Sequence, residues 1–280
     1  MVILADEGDI GSMDWWAAAI LGLPVVIGPQ LILLGRLSGV SRINFPRIHR
    51  WALGGVLFGG LALLVLALRN FAAVEVRTSN LEILVLTAVG GVWQIGAVLL
   101  FPWFGLSVRD DAMERRNSAA FVASLGALVA AQLVFIGGNI GEGPSYWENV
   151  FSVTLAAGGL LTLWLLLQFG ADVSRSIAED RDLASGVRLG AFLLACGLIL
   201  GRAVAGNWHS EAATIHDFFH DGWPAAALCL LALPLEHLLR PSKQRPFPSW
   251  LVCGALPAFL YLGVAVFWLY RLGPWEGFVQ

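Results

Sequence analysis

Eight apolar runs, each close to the length of a membrane span and separated by short charged turns, leave this chain few ways to fold. They cover approximately residues 15–35, 51–68, 83–105, 118–137, 149–169, 186–206, 223–239 and 250–270. A hydrocarbon layer is crossed by about 20 helical residues, and a helix satisfies its own backbone N–H and C=O groups where water cannot. The runs are continuous and not alternating, which excludes barrel strands. Charged residues make up 13% of the chain against roughly 25% in soluble domains, so an ordinary soluble fold is excluded too. The expected fold is all-α: a polytopic integral membrane bundle of about eight transmembrane helices arranged as repeated hairpins. The loops, at roughly 10–17 residues, are too short to separate domains. Residues 1–280 therefore read as one transmembrane domain, with 1–80 and 207–280 as helix pairs flanking a core over 81–206. The seventh run is the shortest and holds Pro224 and Pro234, which predicts a kink or tilt.

Positive charge sets the expected orientation. Arg36, Arg42, Arg47 and Arg50 lie in the first turn, and Arg109, Arg115 and Arg116 in the third. Arg175, Arg181 and Arg188 follow in the fifth, and Arg240, Lys243 and Arg245 in the seventh. Only Arg69, Arg77, Arg202 and Arg271 fall on the other side, which is otherwise acidic, from Asp6 and Glu7 to Asp217 and Asp221. Cytoplasmic loops carry the Lys/Arg excess, so both termini are expected outside, with the chain multi-pass in the cell inner membrane. Most tryptophans, Trp103, Trp147 and Trp250 among them, sit near span ends, as interfacial indoles do. No short apolar core with an Ala-x-Ala site follows the acidic start, so the first span is expected to stay as an anchor. Cys196, Cys229 and Cys253 all fall within spans and lack the close pairing of a metal or disulfide framework.

Two charged turns resemble each other. One runs Glu114-Arg115-Arg116-Asn117-Ser118-Ala119-Ala120-Phe121, and the other Glu179-Asp180-Arg181-Asp182-Leu183-Ala184-Ser185-Gly186. Each passes through a polar residue and small residues into a long apolar run, the sign of a duplicated hairpin. Asn117 and Asp182 are expected to cap the fourth and sixth helices, their side-chain oxygens accepting first-turn N–H groups. Gly186, Gly190, Gly197 and Gly201 share one helical face, which allows close backbone approach in lipid, and Gly55 with Gly59 makes a shorter version.

The turns and the helices after them resemble the YjfL-like bacterial inner-membrane family, known as domain of unknown function 350. Asn117, Ala119, Ala120 and Gly126 match its turn-and-glycine pattern in one copy. Asp182, Ala184, Gly186, Gly190 and Gly197 match in the other, with Asp182 where the family has Asn. The likeness covers about residues 81–206. It implies an integral membrane protein without an established catalytic site, in a family whose members tend to be encoded near envelope-stress proteins.

Chemistry-bearing residues are sparse. Gln94, Gln132 and Arg202 lie within spans, where polar groups are costly, and mark a candidate polar pathway. Arg202 has Glu142 or Glu148 as candidate partners, and Glu236 is set four residues from Arg240 for a helical ion pair. His216 and His220, also four apart, could hold Zn²⁺ or Cu²⁺ with His209, Glu211 or Asp221. The same segment also reads as a short interfacial helix with Phe218 and Phe219 in lipid, or as a pH-sensing cluster. No catalytic constellation, cofactor or nucleic-acid partner is expected. The expected contacts are the lipid bilayer, a cytoplasmic protein or anionic lipid at the basic turns, and a homo-oligomer or larger membrane complex. Two functions stand: a non-enzymatic structural or docking component of the envelope, and a channel or transporter for a small solute or ion.

Overall fold

The computed structural model describes residues 15–38, 47–242 and 248–274. The acidic start, Arg42, Lys243, Arg245 and the terminal positions that orient the chain lie outside the described residues. Among the described residues every extended element is helical: α1 (Trp15–Ser38), α2 (Arg47–Phe71), α3 (Val74–Thr78), α4 (Asn80–Leu100), α5 (Ser118–Gly137), α6 (Tyr146–Ala171), α7 (Val173–Ala178), α8 (Leu183–Ala203), α9 (Glu211–Leu239) and α10 (Leu256–Leu272). A 3₁₀ turn (Phe101–Phe104) extends α4, and wide π turns cover Val108–Glu114 and Trp250–Ala255.

Among the described residues seven helical stretches are long and apolar enough to cross a membrane, beginning with Ile48–Phe71 and ending with Trp250–Leu272. In α1 the apolar stretch Pro24–Leu37 is shorter than that. Leu66, Val92, Leu99, Phe169 and Phe259 stand exposed on the flanks, a surface that a bilayer solvates and water does not.

The seventh apolar run proves longer than its hydropathy suggests. Helix α9 begins at Glu211, not near 223, because the Ser210 hydroxyl accepts the Ala213 N–H and starts it early. Its 29 residues pass through Pro224 and Pro234 without a break and measure about 44 Å. That exceeds the hydrocarbon thickness, so the end bearing His216 and His220 is the first turns of a long helix and not a separate short one.

Other starts are fixed in the same way. The Ser79 hydroxyl accepts the Glu82 N–H at the head of α4. A reciprocal box of Ser145 and Glu148 opens α6. At the bundle centre α5 and α8 make the most extensive helix contact among the described residues. Gly186 faces Ala119, Gly197 faces Ala130 and Gly201 faces Leu133, so the two helices run parallel, in ascending register. Helix α2 lies against α4 and α5 on one side. Helices α9 and α10 pack on α8 at the other, and α6 spans α8 and α9.

Candidate functional site

Two turns at one end of α5 and α8 are near copies. In the first, Arg115 N–H donates to Asp110 C=O (3.0 Å) and Asn117 N–H to Asp111 C=O (3.2 Å). In the second, Asp180 N–H donates to Arg175 C=O (3.2 Å) and Asp182 N–H to Ser176 C=O (2.9 Å). Every donor and acceptor is shifted by the same spacing. The cap follows in each. Asn117 Oδ1 accepts from Ala119 and Ala120 N–H at 3.0 and 3.2 Å. The Asp182 carboxylate accepts from Ala184 and Ser185 N–H at 3.3 and 2.9 Å. Asn117 Nδ2 also donates to Ile177 C=O at 2.6 Å, which ties the two turns together on one face of the bundle.

The residue before each cap is an arginine in the left-handed region, Arg116 at φ 53° and Arg181 at φ 54°. Both side chains are exposed. Their neighbours are internally paired: Arg109 with Glu114, Arg115 with Asp111 and Arg175 with Glu179. The pairs of Arg109 and Arg175, both on the surface, contribute little to stability. Among the described residues Arg116 and Arg181 have no ion-pair partner, so the face presents two unneutralised guanidinium groups at equivalent places.

Behind this face the α5–α8 seam is backbone against backbone. A Cβ on Gly197 would lie 2.7 Å from Ala130 Cα, and one on Gly201 2.7 Å from Leu133 O. Gly126 and Gly137 of α5 meet Gly190 and Gly201 in the same way. The α2 glycines differ: among the described residues Gly55 and Gly59 have nothing within 4 Å and face outward, so they do not repeat this packing.

Arg188 overturns a sequence expectation. Counted with the turn charges, it is fully buried, and Glu236 is 3% exposed beside it. Arg188 Nε and Nη2 donate to the two Glu236 oxygens at 2.7 and 2.6 Å. Nη2 also reaches Ser185 Oγ at 2.8 Å, and Nη1 donates to Cys253 C=O. One side chain thus joins α8 to α9 and to the π turn that opens α10. Glu236 spends its carboxylate here and not on Arg240, because α9 turns it towards α8.

The candidate pathway residues separate into two places. Gln94 Nε2 donates to Leu57 C=O at 3.1 Å, and Gln94 and Gln132 converge on Gly60 of α2. Gln94 Oε1 and both amide atoms of Gln132 are buried without a partner among the described residues. Gln30 of α1, which sequence reasoning missed, donates to Gly91 C=O at 2.9 Å on the same helix as Gln94. Its signal was one polar residue in an apolar run. Arg202 stands elsewhere, at the end of α8 opposite the arginine turns, donating to Gly273 C=O at 3.5 Å. Its expected carboxylates are engaged: Glu142 with Arg77 (3.3 Å), and Glu148 with Ser145.

On α9 the rings of His216 and His220 stack with centroids 5.9 Å apart. Each Nδ1 lies against the carboxylate that follows it, Asp217 at 3.2 Å and Asp221 at 2.8 Å. Among the described residues no group of three or more His, Cys, Asp or Glu is gathered as a metal shell, and His209 does not join the pair. The three cysteines are free and buried.

The arrangement defines a multi-pass helical membrane protein with a glycine-closed centre and one arginine-bearing face. No protein family, curated protein or solved structure matches the chain.

Proposed function

We propose that this protein is a non-enzymatic integral component of the bacterial inner membrane, of eight spans with both termini outside, that docks a cytoplasmic partner in envelope maintenance. In this reading α4–α5 and α6–α8 are duplicated hairpins. Kinship with the YjfL-like family belongs to the same proposal, supported by the paired caps and the glycines that follow them.

The observation that carries the docking role is the pair Arg116 and Arg181. A left-handed backbone costs an L-residue roughly 1–2 kcal/mol, which glycine would avoid. Two exposed arginines held there, at equivalent positions, are strain kept for a purpose outside the fold. Their guanidinium groups suit carboxylates or phosphates of a partner surface.

Glycine substitution separates function from stability. Arg116→Gly with Arg181→Gly removes both charges and relieves both backbones. The expected outcome is a chain at least as stable as the native one that no longer co-purifies with its crosslinked cytoplasmic partner. An unchanged crosslinked partner would count against docking, and loss of binding only to anionic vesicles would shift the role to lipid.

A second reading, a channel or transporter, is favoured by the unpartnered amide atoms of Gln94 and Gln132, because buried polar groups are rarely left unbonded. It predicts solute flux in proteoliposomes that Gln94→Leu abolishes. Flux that is absent, or unaffected by the substitution, removes it.

A further inference from the structure

Two cavities of opposite character meet at Arg202. One, of about 350 Å³, is an apolar crevice between α5, α8 and α10, walled by Leu133, Ile136, Leu198 and Leu269 and floored by Gly197 and Gly201. The other, of about 360 Å³, is polar and opens at the head of α9, where Asn207, His209, Asp217, His220 and Asp221 line it. Arg202 and Pro274 belong to both linings. Arg202 is the penultimate residue of α8, so the junction sits where a transmembrane helix leaves the hydrocarbon and meets headgroups.

An occupant of both spaces needs an apolar chain and a polar head. The head must suit a guanidinium and two carboxylates at once. A purely anionic group would meet Asp217 and Asp221, and a purely cationic one would meet Arg202. We propose that the site binds a phospholipid whose headgroup carries a phosphate and a primary ammonium, of the phosphatidylethanolamine type. Its phosphate lies against Arg202, with the imidazole of His209 as a further donor. Its ammonium lies towards Asp217 and Asp221. One acyl chain enters the crevice between the apolar side chains of Leu133, Ile136, Leu198 and Leu269. This assignment is independent of the docking role, which concerns the opposite face.

Native mass spectrometry of the full chain, delipidated and then offered single lipids, tests it. Phosphatidylethanolamine should be retained at least about tenfold more tightly than phosphatidylglycerol, because a charge-assisted ammonium–carboxylate contact is lost in the latter. Asp221→Asn should remove that preference, with phosphatidylglycerol retained at least as tightly as by the native chain. Leu198→Trp, which fills the crevice without touching the headgroup pocket, should weaken both lipids. Arg202→Gln should weaken both by about tenfold as well. Equal retention of the two lipids by the native chain would overturn the proposal. So would competition by soluble phosphoethanolamine as strong as that of the intact lipid, which would assign the polar pocket to a free small molecule.

Discussion

Replacing Glu236 with leucine should be among the most damaging single changes available in this chain. The carboxylate receives two of the four hydrogen bonds that Arg188 donates, at 2.7 and 2.6 Å, and both side chains are shut off from solvent. Removing one partner of a buried pair strands the other charge, at a cost of about 3–5 kcal/mol. The guanidinium keeps its charge, while an orphaned carboxyl can take up a proton, so Arg188→Leu should cost less than Glu236→Leu. Arg188→Leu with Glu236→Leu removes both charges and leaves an apolar contact between α8 and α9. That double variant should recover at least about 2 kcal/mol relative to Glu236→Leu alone. Reversible unfolding of the four proteins in mixed micelles gives the cycle directly. A Glu236→Leu protein within about 1 kcal/mol of native, or a double variant no better than the worse single, would mean that the Arg188 charge is not stranded by loss of its partner.

Other consequences can be read the same way. Gly201→Ala forces a Cβ against the Leu133 carbonyl at 2.7 Å, and since backbone cannot swing aside it should destabilise by about 1–3 kcal/mol. Gly59→Ala meets nothing within 4 Å and should be neutral or stabilise by up to about 1 kcal/mol, as the same micelle unfolding would record. Asn117→Ala and Asp182→Ala should each cost about 0.5–2 kcal/mol through loss of a cap. Asn117 should be the more sensitive, because its Nδ2 also holds Ile177 of the other turn. Hydrogen exchange at the first turns of α5 and α8 would show the two effects locally.

How much of this could be read from the chain follows the range of the interaction. The helices themselves are local, fixed by runs of apolar residues, and so are the turn residues Asn117 and Asp182 with their neighbouring N–H groups. The face shared by Gly186, Gly190, Gly197 and Gly201 follows from helical geometry alone, but what it packs against does not. Gly55 and Gly59 have the same spacing and face outward. Pairing across helices was least legible. Local spacing favoured Glu236 with Arg240, yet Glu236 lies with Arg188, 48 residues away. The nearest available hint was that each is a lone charge inside an otherwise apolar stretch. The early start of α9 was hidden for a different reason: its first turns are polar, and hydropathy finds the part in lipid and not the part projecting beyond it. The surroundings of Arg202 were hidden likewise, since they draw on α5, α9 and α10 as well as on its own helix.

Because α5 and α8 run parallel, both arginine turns should lie on one side of the membrane and the α9 histidines on the other. Single cysteines at Arg116, Arg181 and His216, in a chain whose three native cysteines are buried, can be probed with a membrane-impermeant maleimide in vesicles of each orientation. Arg116→Cys and Arg181→Cys should label only from the cytoplasmic side, and His216→Cys only from the opposite side. Labelling of Arg116→Cys and Arg181→Cys from opposite sides would contradict the parallel arrangement of α5 and α8.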